Sequence, residues 1–303
     1  SGGCTSISSN IAAAIVVNDP TISVQPIPTQ SICVGGQIAT ALTATAINGV
    51  GTTSYQWSNS SGPIANANNQ TYLPTAFSNI GTYTYYVTIT LSGSGCDASV
   101  SQNAIINVVN DPTISVQPSP ASYCVNATVV SPLAVTATGG IGTFSYQWYS
   151  NTINNNSGGT LISNATADTY TPPVNNVGTT YYYCVITQTG LNCNVTSNTT
   201  AIIVNTAPSF TTQPLPTQTI CLDGTFNTLS VAYINGTGIP TFQWYSNSTN
   251  SYTGGTAISN ATTQTFIPPS NIVGTTFYYC IATFPSGGCT SISSNIAAAI
   301  VVN

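Results

Sequence analysis

Ser145-Tyr146-Gln147-Trp148 returns as Ser54-Tyr55-Gln56-Trp57 and as Thr241-Phe242-Gln243-Trp244, and these three stretches hold every tryptophan of the chain. The tryptophans lie 91 and 96 residues apart. Around the middle copy, Phe144, Tyr146 and Trp148 alternate with Ser145, Gln147 and Tyr149. That is period two, a strand with one face buried. One Trp-centred strand in roughly 95 residues predicts an all-β fold: tandem immunoglobulin-like sandwiches in a linear array, with Trp57, Trp148 and Trp244 as strand C core residues. Burying an indole of about 200 Å² at about 25 cal/mol/Å² is worth at most about 5 kcal/mol.

Repeats extend beyond the tryptophans. Asp19-Pro-Thr-Ile-Ser-Val-Gln-Pro recurs letter for letter from Asp111, and Pro208-Ser-Phe-Thr-Thr-Gln-Pro is a divergent third copy. These starts predict domains over 19–110, 111–205 and 206–303. Ser1–Asn18 is identical to Ser286–Asn303. The expectation is that residues 1–18 are the C-terminal strand of a preceding domain of the same kind.

The middle repeat shows the plan. Thr113–Gln117 reads as strand A, Tyr123–Val125 as a second edge piece, Leu133–Thr138 as strand B and the Trp stretch as strand C. Leu161-Ile162 and Tyr170 follow, then strand F over Tyr181–Thr187 and strand G over Val195–Val204. Prolines fall at linkers and strand ends, where no ladder hydrogen bond is lost.

Composition removes whole classes of function. The chain has no Lys, Arg, His, Glu or Met, and its only charged side chains are Asp19, Asp97, Asp111, Asp168 and Asp223. The usual general bases are gone, so no catalytic residue is expected. Without cations there is neither a phosphate clamp nor a basic stripe, which excludes nucleic acid as a partner. The longest apolar run, Ile11–Val17, is too short to span a bilayer as a helix. Asp19 and Asp111 stand at junctions, but calcium needs more oxygens than they supply and the third junction has no Asp. No metal or cofactor is predicted.

Nine cysteines sit at repeating positions, which argues for an oxidising, extracytoplasmic setting. Cys184 and Cys280 lie two residues after Tyr182 and Tyr278, the spacing of the tyrosine corner. In the first repeat Val87 follows Tyr85 in the same way. Strand B has no Cys to pair with them, so Cys184 and Cys280 are expected as buried free thiols, with Tyr85, Tyr182 and Tyr278 in the core. Cys33, Cys124 and Cys221 follow strand A, whereas Cys4, Cys96, Cys193 and Cys289 belong to F–G turns. In a sandwich those two places lie a strand length apart, about 20 Å, too far for a disulfide. Between consecutive domains they would meet, pairing Cys33 with Cys193 and Cys124 with Cys289. Cys4, Cys96 and Cys221 would then pair outside these residues. The alternative is pairing within each repeat, Cys33 with Cys96 and Cys124 with Cys193.

Tyr149 and Tyr183, with Tyr245 and Tyr279, are expected on outward faces of strands C and F. They form a possible ligand surface that could stack on sugar rings, against the plainer reading of cross-strand pairing.

Ile32-Cys33-Val34-Gly35-Gly36, Tyr-Gln-Trp, Gly178-Thr-Thr-Tyr-Tyr-Tyr and Gly288-Cys289 together resemble the immunoglobulin-like repeats of giant Bacteroidota cell-surface proteins. They are most similar to SprB-type gliding-motility adhesins. The resemblance implies export by the type IX secretion system and display at the outer membrane as a filament. Its implied partners are neighbouring repeats, motility or anchoring machinery, and surface polysaccharide. The role expected from these observations is a mechanical stalk. The alternatives are a carbohydrate-binding array and a self-assembling filament subunit.

With no side-chain ion pair available, screening has little to act on. The melting temperature should move by less than about 5 °C between roughly 20 and 200 mM NaCl, since about 1 kcal/mol shifts a domain of this size by that much. Calorimetry at the two salt concentrations checks this.

Overall fold

A computed structural model describes residues 2–93, 95–191 and 193–303, which form thirty strands and, among the described residues, no helix. The chain divides into two compact units. One holds the residues up to Thr113 with Thr138–Phe144 and Thr187–Val195; the other holds Ile114–Ala137, Ser145–Ile186 and Thr196–Asn303.

The first unit contains one complete sandwich. Its strands are β1 (Thr21–Val24), β2 (Thr29–Cys33), β3 (Leu42–Thr43), β4 (Thr45–Ile47), β5 (Thr52–Asn59), β6 (Gly62–Pro63), β7 (Thr71–Tyr72), β8 (Gly81–Ser92), β9 (Ser99–Val100) and β10 (Ala104–Val109). The larger sheet runs β2-β10-β8-β5-β6, with β9 also on β8; β1 pairs β4, and β3 pairs β7. Pro26 and Pro28 lack the N–H that a continuing ladder needs, so the first strand breaks between them. Its second half, β2, joins the other sheet, parallel to β10. The core draws on both sheets, with Leu42, Ala44, Trp57, Val87 and Ile106 all fully buried.

The same ten strands recur as β11–β20 between Thr113 and Asn205 and as β21–β30 between Ser209 and Val302. The corresponding larger sheets run β12 (Ala121–Cys124), β20 (Thr200–Asn205), β18 (Gly178–Gln188), β15 (Phe144–Asn151), β16 (Thr160–Leu161), and β22 (Thr217–Cys221), β30 (Ala297–Val302), β28 (Gly274–Thr283), β25 (Thr241–Asn247), β26 (Thr256–Ala257). Order and pairing are those of an immunoglobulin-like sandwich, and the chain is a tandem set of them.

Each tryptophan anchors its sandwich in the same way. Trp57, Trp148 and Trp244 are wholly buried, and their indole N–H groups donate to the carbonyls of Asn69, Ala167 and Thr263 at 2.9 Å. An aromatic on the facing sheet bridges each to the strand F tyrosine: Trp57–Tyr72–Tyr85, Trp148–Tyr170–Tyr182 and Trp244–Phe266–Tyr278, with centroids 5.3–6.0 Å apart. These rows fill the layer that a B–F disulfide occupies in antibody domains. Ala44, Val135 and Val231 are buried at the strand B positions.

Two strands differ from expectation. Strand B of the second repeat is split at Val135 into β13 (Leu133–Ala134), paired with β17 (Thr169–Tyr170), and β14 (Thr136–Thr138), paired with β11 (Thr113–Val116). Strand G is split into β19 (Asn194–Thr196) and β20 (Thr200–Asn205). Between them the Ser197 hydroxyl accepts the Cys184 N–H at 2.9 Å and donates to the Asn198 carbonyl at 2.9 Å, replacing ladder bonds. Gly2–Asn18, expected as a strand, forms none and is exposed almost throughout.

Two buried side chains, Gln188 and Thr200, have polar atoms without a partner among the described residues, and Gln188 is the larger case. Gln188 is fully buried, and neither its amide nitrogen nor its oxygen has a hydrogen-bond partner among the described residues. The other repeats place Leu91 and Phe284 there, four residues beyond Val87 and Cys280. An orphaned buried amide costs roughly 1–3 kcal/mol. Gln188→Leu should therefore stabilise the chain by about that amount, read as a raised denaturation midpoint; a lower midpoint would contradict the account.

Candidate functional site

The cysteines recur at matching positions in the repeats. In the first unit β2 ends at Cys33, whose carbonyl accepts the Gly36 N–H at 3.0 Å while Val34 N–H continues the ladder to Val109 at 2.9 Å. This turn presents the Cys33 side chain at the end of the sheet. Cys193 is buried in a tight hairpin closed by Gln188 N–H to its carbonyl at 2.7 Å. The two are joined by a disulfide, Cα–Cα 5.8 Å. In the second unit Cys124, at the end of β12 (Ala121–Cys124), is bonded to Cys289, Cα–Cα 4.8 Å. Gly288 makes that approach possible: its φ is +77°, and a Cβ there would lie 2.5 Å from the Cα of Tyr123. Asn205 reinforces the contact by donating its amide to the Gly287 carbonyl at 2.8 Å. Both bonds join the strand A end of one repeat to the F–G turn of the next.

The remaining cysteines divide by burial. Cys4 and Cys221 are exposed free thiols. Cys96 faces the Asn18 carbonyl at 3.7 Å. Cys184 and Cys280 are free and wholly buried beside the tryptophans. Burial pushes both thiols up to about 12, against a weaker opposing pull from the backbone of Gln147 and Gln243. Tyr85 and Tyr182 are likewise pushed up to about 12, chiefly by burial, and Tyr278 is raised by the same cause.

Asp111 lies near Cys33 and Cys193, the one such group of potential metal ligands among the described residues. Both sulfurs are already committed to each other, which leaves a single carboxylate and no ligand set.

The tyrosine surface is corrected. Tyr149 stacks on Tyr183, and Tyr245 on Tyr279, with centroids 5.2 Å apart and planes nearly parallel. However, Tyr183 and Tyr279 are only 3% exposed. The hairpin after strand C folds over them. Gly159 N–H donates to the Tyr183 hydroxyl at 3.0 Å, and the Tyr279 hydroxyl donates to the Tyr252 carbonyl at 2.9 Å. These pairs are cross-strand packing in which Tyr183 and Tyr279 are covered, while Tyr149 and Tyr245 are half-buried.

The glutamine of each Tyr-Gln-Trp motif carries a role that the strand pattern did not reveal. Gln56, Gln147 and Gln243 each donate through the amide to two carbonyls, at 2.8–2.9 Å: that of the following tryptophan, and that of Ile64, Ile162 or Ile258. Each clamps strand C to the loop beyond it. Its presence in all three copies of the motif was the available signal. Gln25, Gln117 and Gln213 act similarly, accepting the N–H of Gln102, Asn198 and Asn295 at 2.8–2.9 Å where strand G begins.

Fold and site define a class: tandem immunoglobulin-like sandwiches tied by disulfides between repeats. Residues 213–303 match a family model described as a domain of unknown function (DUF8696). No curated protein matches the chain. Similar solved structures include the I67–I69 I-band fragment of titin, at 14% identity and TM-score 0.49, covering 96% of this chain and 100% of that one. Three N-terminal domains of the bacteriophage RB49 Hoc capsid protein match at 15% identity and TM-score 0.47, covering 95% and 100%. Drosophila OTK extracellular domains 3–5 match at 19% and 0.42, covering 94% and 98%.

The thiols separate cleanly by experiment. At pH 8, iodoacetamide should modify Cys4 and Cys221 in the native chain, and Cys184 and Cys280 only after denaturation, as mass spectrometry can read. In the unfolded chain a thiol ionises near its ordinary value of about 8.5. The contribution of these raised groups is therefore complete below that pH and is lost as pH rises toward about 12. Denaturation midpoints should fall through this window. Cys184→Val, which copies Val87 of the first repeat, should cost less than about 1.5 kcal/mol at pH 7 and flatten the fall.

Proposed function

We propose that the chain is a structural segment of an extracellular protein, a spacer whose work is to carry tension. The observation that carries this reading is the overlap of the two disulfides. The loops closed by Cys33–Cys193 and Cys124–Cys289 interlock in sequence, with 160 and 165 residues between their ends. The shortest covalent route from Cys33 to Cys289 crosses to Cys193, runs back through the second repeat to Cys124, and crosses again. That route is 69 residues long, in place of 256 along the chain. Fully extended at about 3.5 Å per residue, it is about 240 Å in place of about 900 Å. A pulled chain therefore keeps most of its length in reserve, and each junction has a covalent tie beside its linker.

The disulfides fit an oxidising compartment outside the cytoplasm. In this reading Cys221, exposed at the end of β22 (Thr217–Cys221), is placed as Cys33 and Cys124 are and would pair with an F–G cysteine of another repeat. Cys4 and Cys96 would take the complementary half. The finer reading is a stalk of a bacterial surface adhesin of the gliding-motility kind, attached at the outer membrane. It draws on the sequence resemblance. The carbohydrate-binding alternative is left with the half-buried Tyr149 and Tyr245, since Tyr183 and Tyr279 are covered.

Single-molecule pulling of the oxidised and reduced chain tests the reading. Reduction should add about 650 Å of contour length; a gain below about 100 Å would refute the proposed load path. Antibody labelling of intact producing cells tests the location, and labelling only after lysis would refute it.

A further inference from the structure

The two disulfides join equivalent positions of their repeats, yet their surroundings carry different charge. At the first, a carboxylate oxygen of Asp111 and the sulfurs of Cys33 and Cys193 all lie within 4.8 Å of one another. The residue that matches Asp111 in the third repeat is Ala207, since Asp111-Pro112 and Ala207-Pro208 precede the same strand. Ala207 in turn lines a groove of about 470 Å³, together with Cys124, Cys289, Val129 and Ile292. Every described residue that lines this groove is uncharged. The chain beyond each strand A cysteine differs in the same sense. Ile38 and Val129 both lie five residues after their cysteines, but Ile38 turns into its own core at 3% exposure, whereas Val129 stands at the rim of the groove at 81%. Charge decides what can reach a disulfide. The attacking group in thiol–disulfide exchange is a thiolate, and its negative charge is spread over three sulfurs as the bonds exchange. A carboxylate about 5 Å from that charge opposes it, roughly tenfold in rate at an effective dielectric between those of a protein surface and bulk water.

We propose that the groove over Cys124–Cys289 is an entry site for small thiols, at which this disulfide is opened and thiolated, and that the Asp111 carboxylate withholds the same reaction from Cys33–Cys193. The incoming thiolate bonds to one sulfur of the Cys124–Cys289 pair. The electron pair of the broken bond leaves on the other sulfur, which takes a proton from water. A second thiolate then attacks the small-molecule sulfur, removes it as a symmetrical disulfide, and leaves both cysteines as thiols. The only co-reactant is the small thiol itself, which is oxidised as the protein bond is reduced. The bond at Cys124 thus follows the thiol content of its surroundings, while the bond at Cys33 holds. This inference stands apart from the spacer reading, since reactivity toward thiols does not depend on load.

The test follows the two bonds separately in the native chain. Accessible thiols are first blocked with iodoacetamide, and the chain is then treated with 2-mercaptoethanol at about pH 8, where part of the reagent is thiolate. Thiols released over time are trapped with N-ethylmaleimide and located in peptic peptides by mass spectrometry. Cys124 and Cys289 should be released at least about tenfold faster than Cys33 and Cys193. Asp111 and Ala207 are both exposed, so substitutions there leave the cores untouched. Asp111→Asn should speed release of Cys33 and Cys193 by about tenfold, and Ala207→Asp should slow release of Cys124 and Cys289 by as much. Both effects should shrink in about 1 M NaCl, where the screening length falls to about 3 Å. An uncharged phosphine brings no charge to repel, so its rates on the parent chain and on Asp111→Asn should agree within about twofold. Equal release of the two bonds by 2-mercaptoethanol overturns the inference. So does Asp111→Asn without effect, or with an effect just as large for the phosphine.

Discussion

With no side-chain cation anywhere, the sheets hold their polar groups by neutral hydrogen bonds alone. Every other feature is arranged around that constraint. Glutamine and serine do the work that charged pairs do in other sandwiches: Gln147 clamps strand C, Ser197 bridges the break in strand G, and Gln117 pins the strand that follows. Neutral bonds are individually modest, about 1 kcal/mol net, but they repeat at the same positions in all three sandwiches. They also escape screening, so their contribution is the same in dilute and concentrated salt. Gln188 is costly because neither end of its buried amide finds a partner among the described residues.

The tryptophan strands, the repeat order and the all-β class were legible because period two and an exact motif leave little freedom. The place of Cys184 and Cys280 was legible too, because strand B has no partner for them and a thiol is apolar enough to bury. Strand breaks were not legible. Ser197 reads as one more polar residue in an alternating run, and only the hydrogen bonds to Cys184 and Asn198 show that it interrupts the ladder. The tyrosine faces failed for a different reason. Alternation places Tyr183 and Tyr279 on the outer side of their sheet, but it says nothing of a hairpin that returns to cover that side. The turns before Gly159 and Gly255 do so, and their glycines leave room for the rings beneath.

The disulfides change what the second repeat experiences. Without them a pull enters at its linkers and acts on its terminal strands. With them it enters at Cys124 and Cys193, and the covalent route crosses the sandwich from its F–G turn to the end of β12. That route leaves out β12 before Cys124 and β20 (Thr200–Asn205) after Cys193, so this parallel pair of terminal strands lies outside it.

The hidden thiols acquire a second character once the chain is deformed. Folded, Cys184 is inert because its thiolate is suppressed by burial. Unfolded, it becomes an ordinary thiol nine residues from Cys193 along the chain. Attack of the Cys184 thiolate on the Cys193 sulfur forms a Cys184–Cys193 bond and expels Cys33 as the leaving thiolate, with no external oxidant or reductant. Cys280 stands in the same relation to Cys289, nine residues on. Each of these two repeats thus stores, behind its own fold, the reagent that can undo the tie at its F–G turn. A repeat that stays folded keeps its bond, and one that is torn open can reshuffle it, so that overextension leaves a chemical record in the sulfur connectivity.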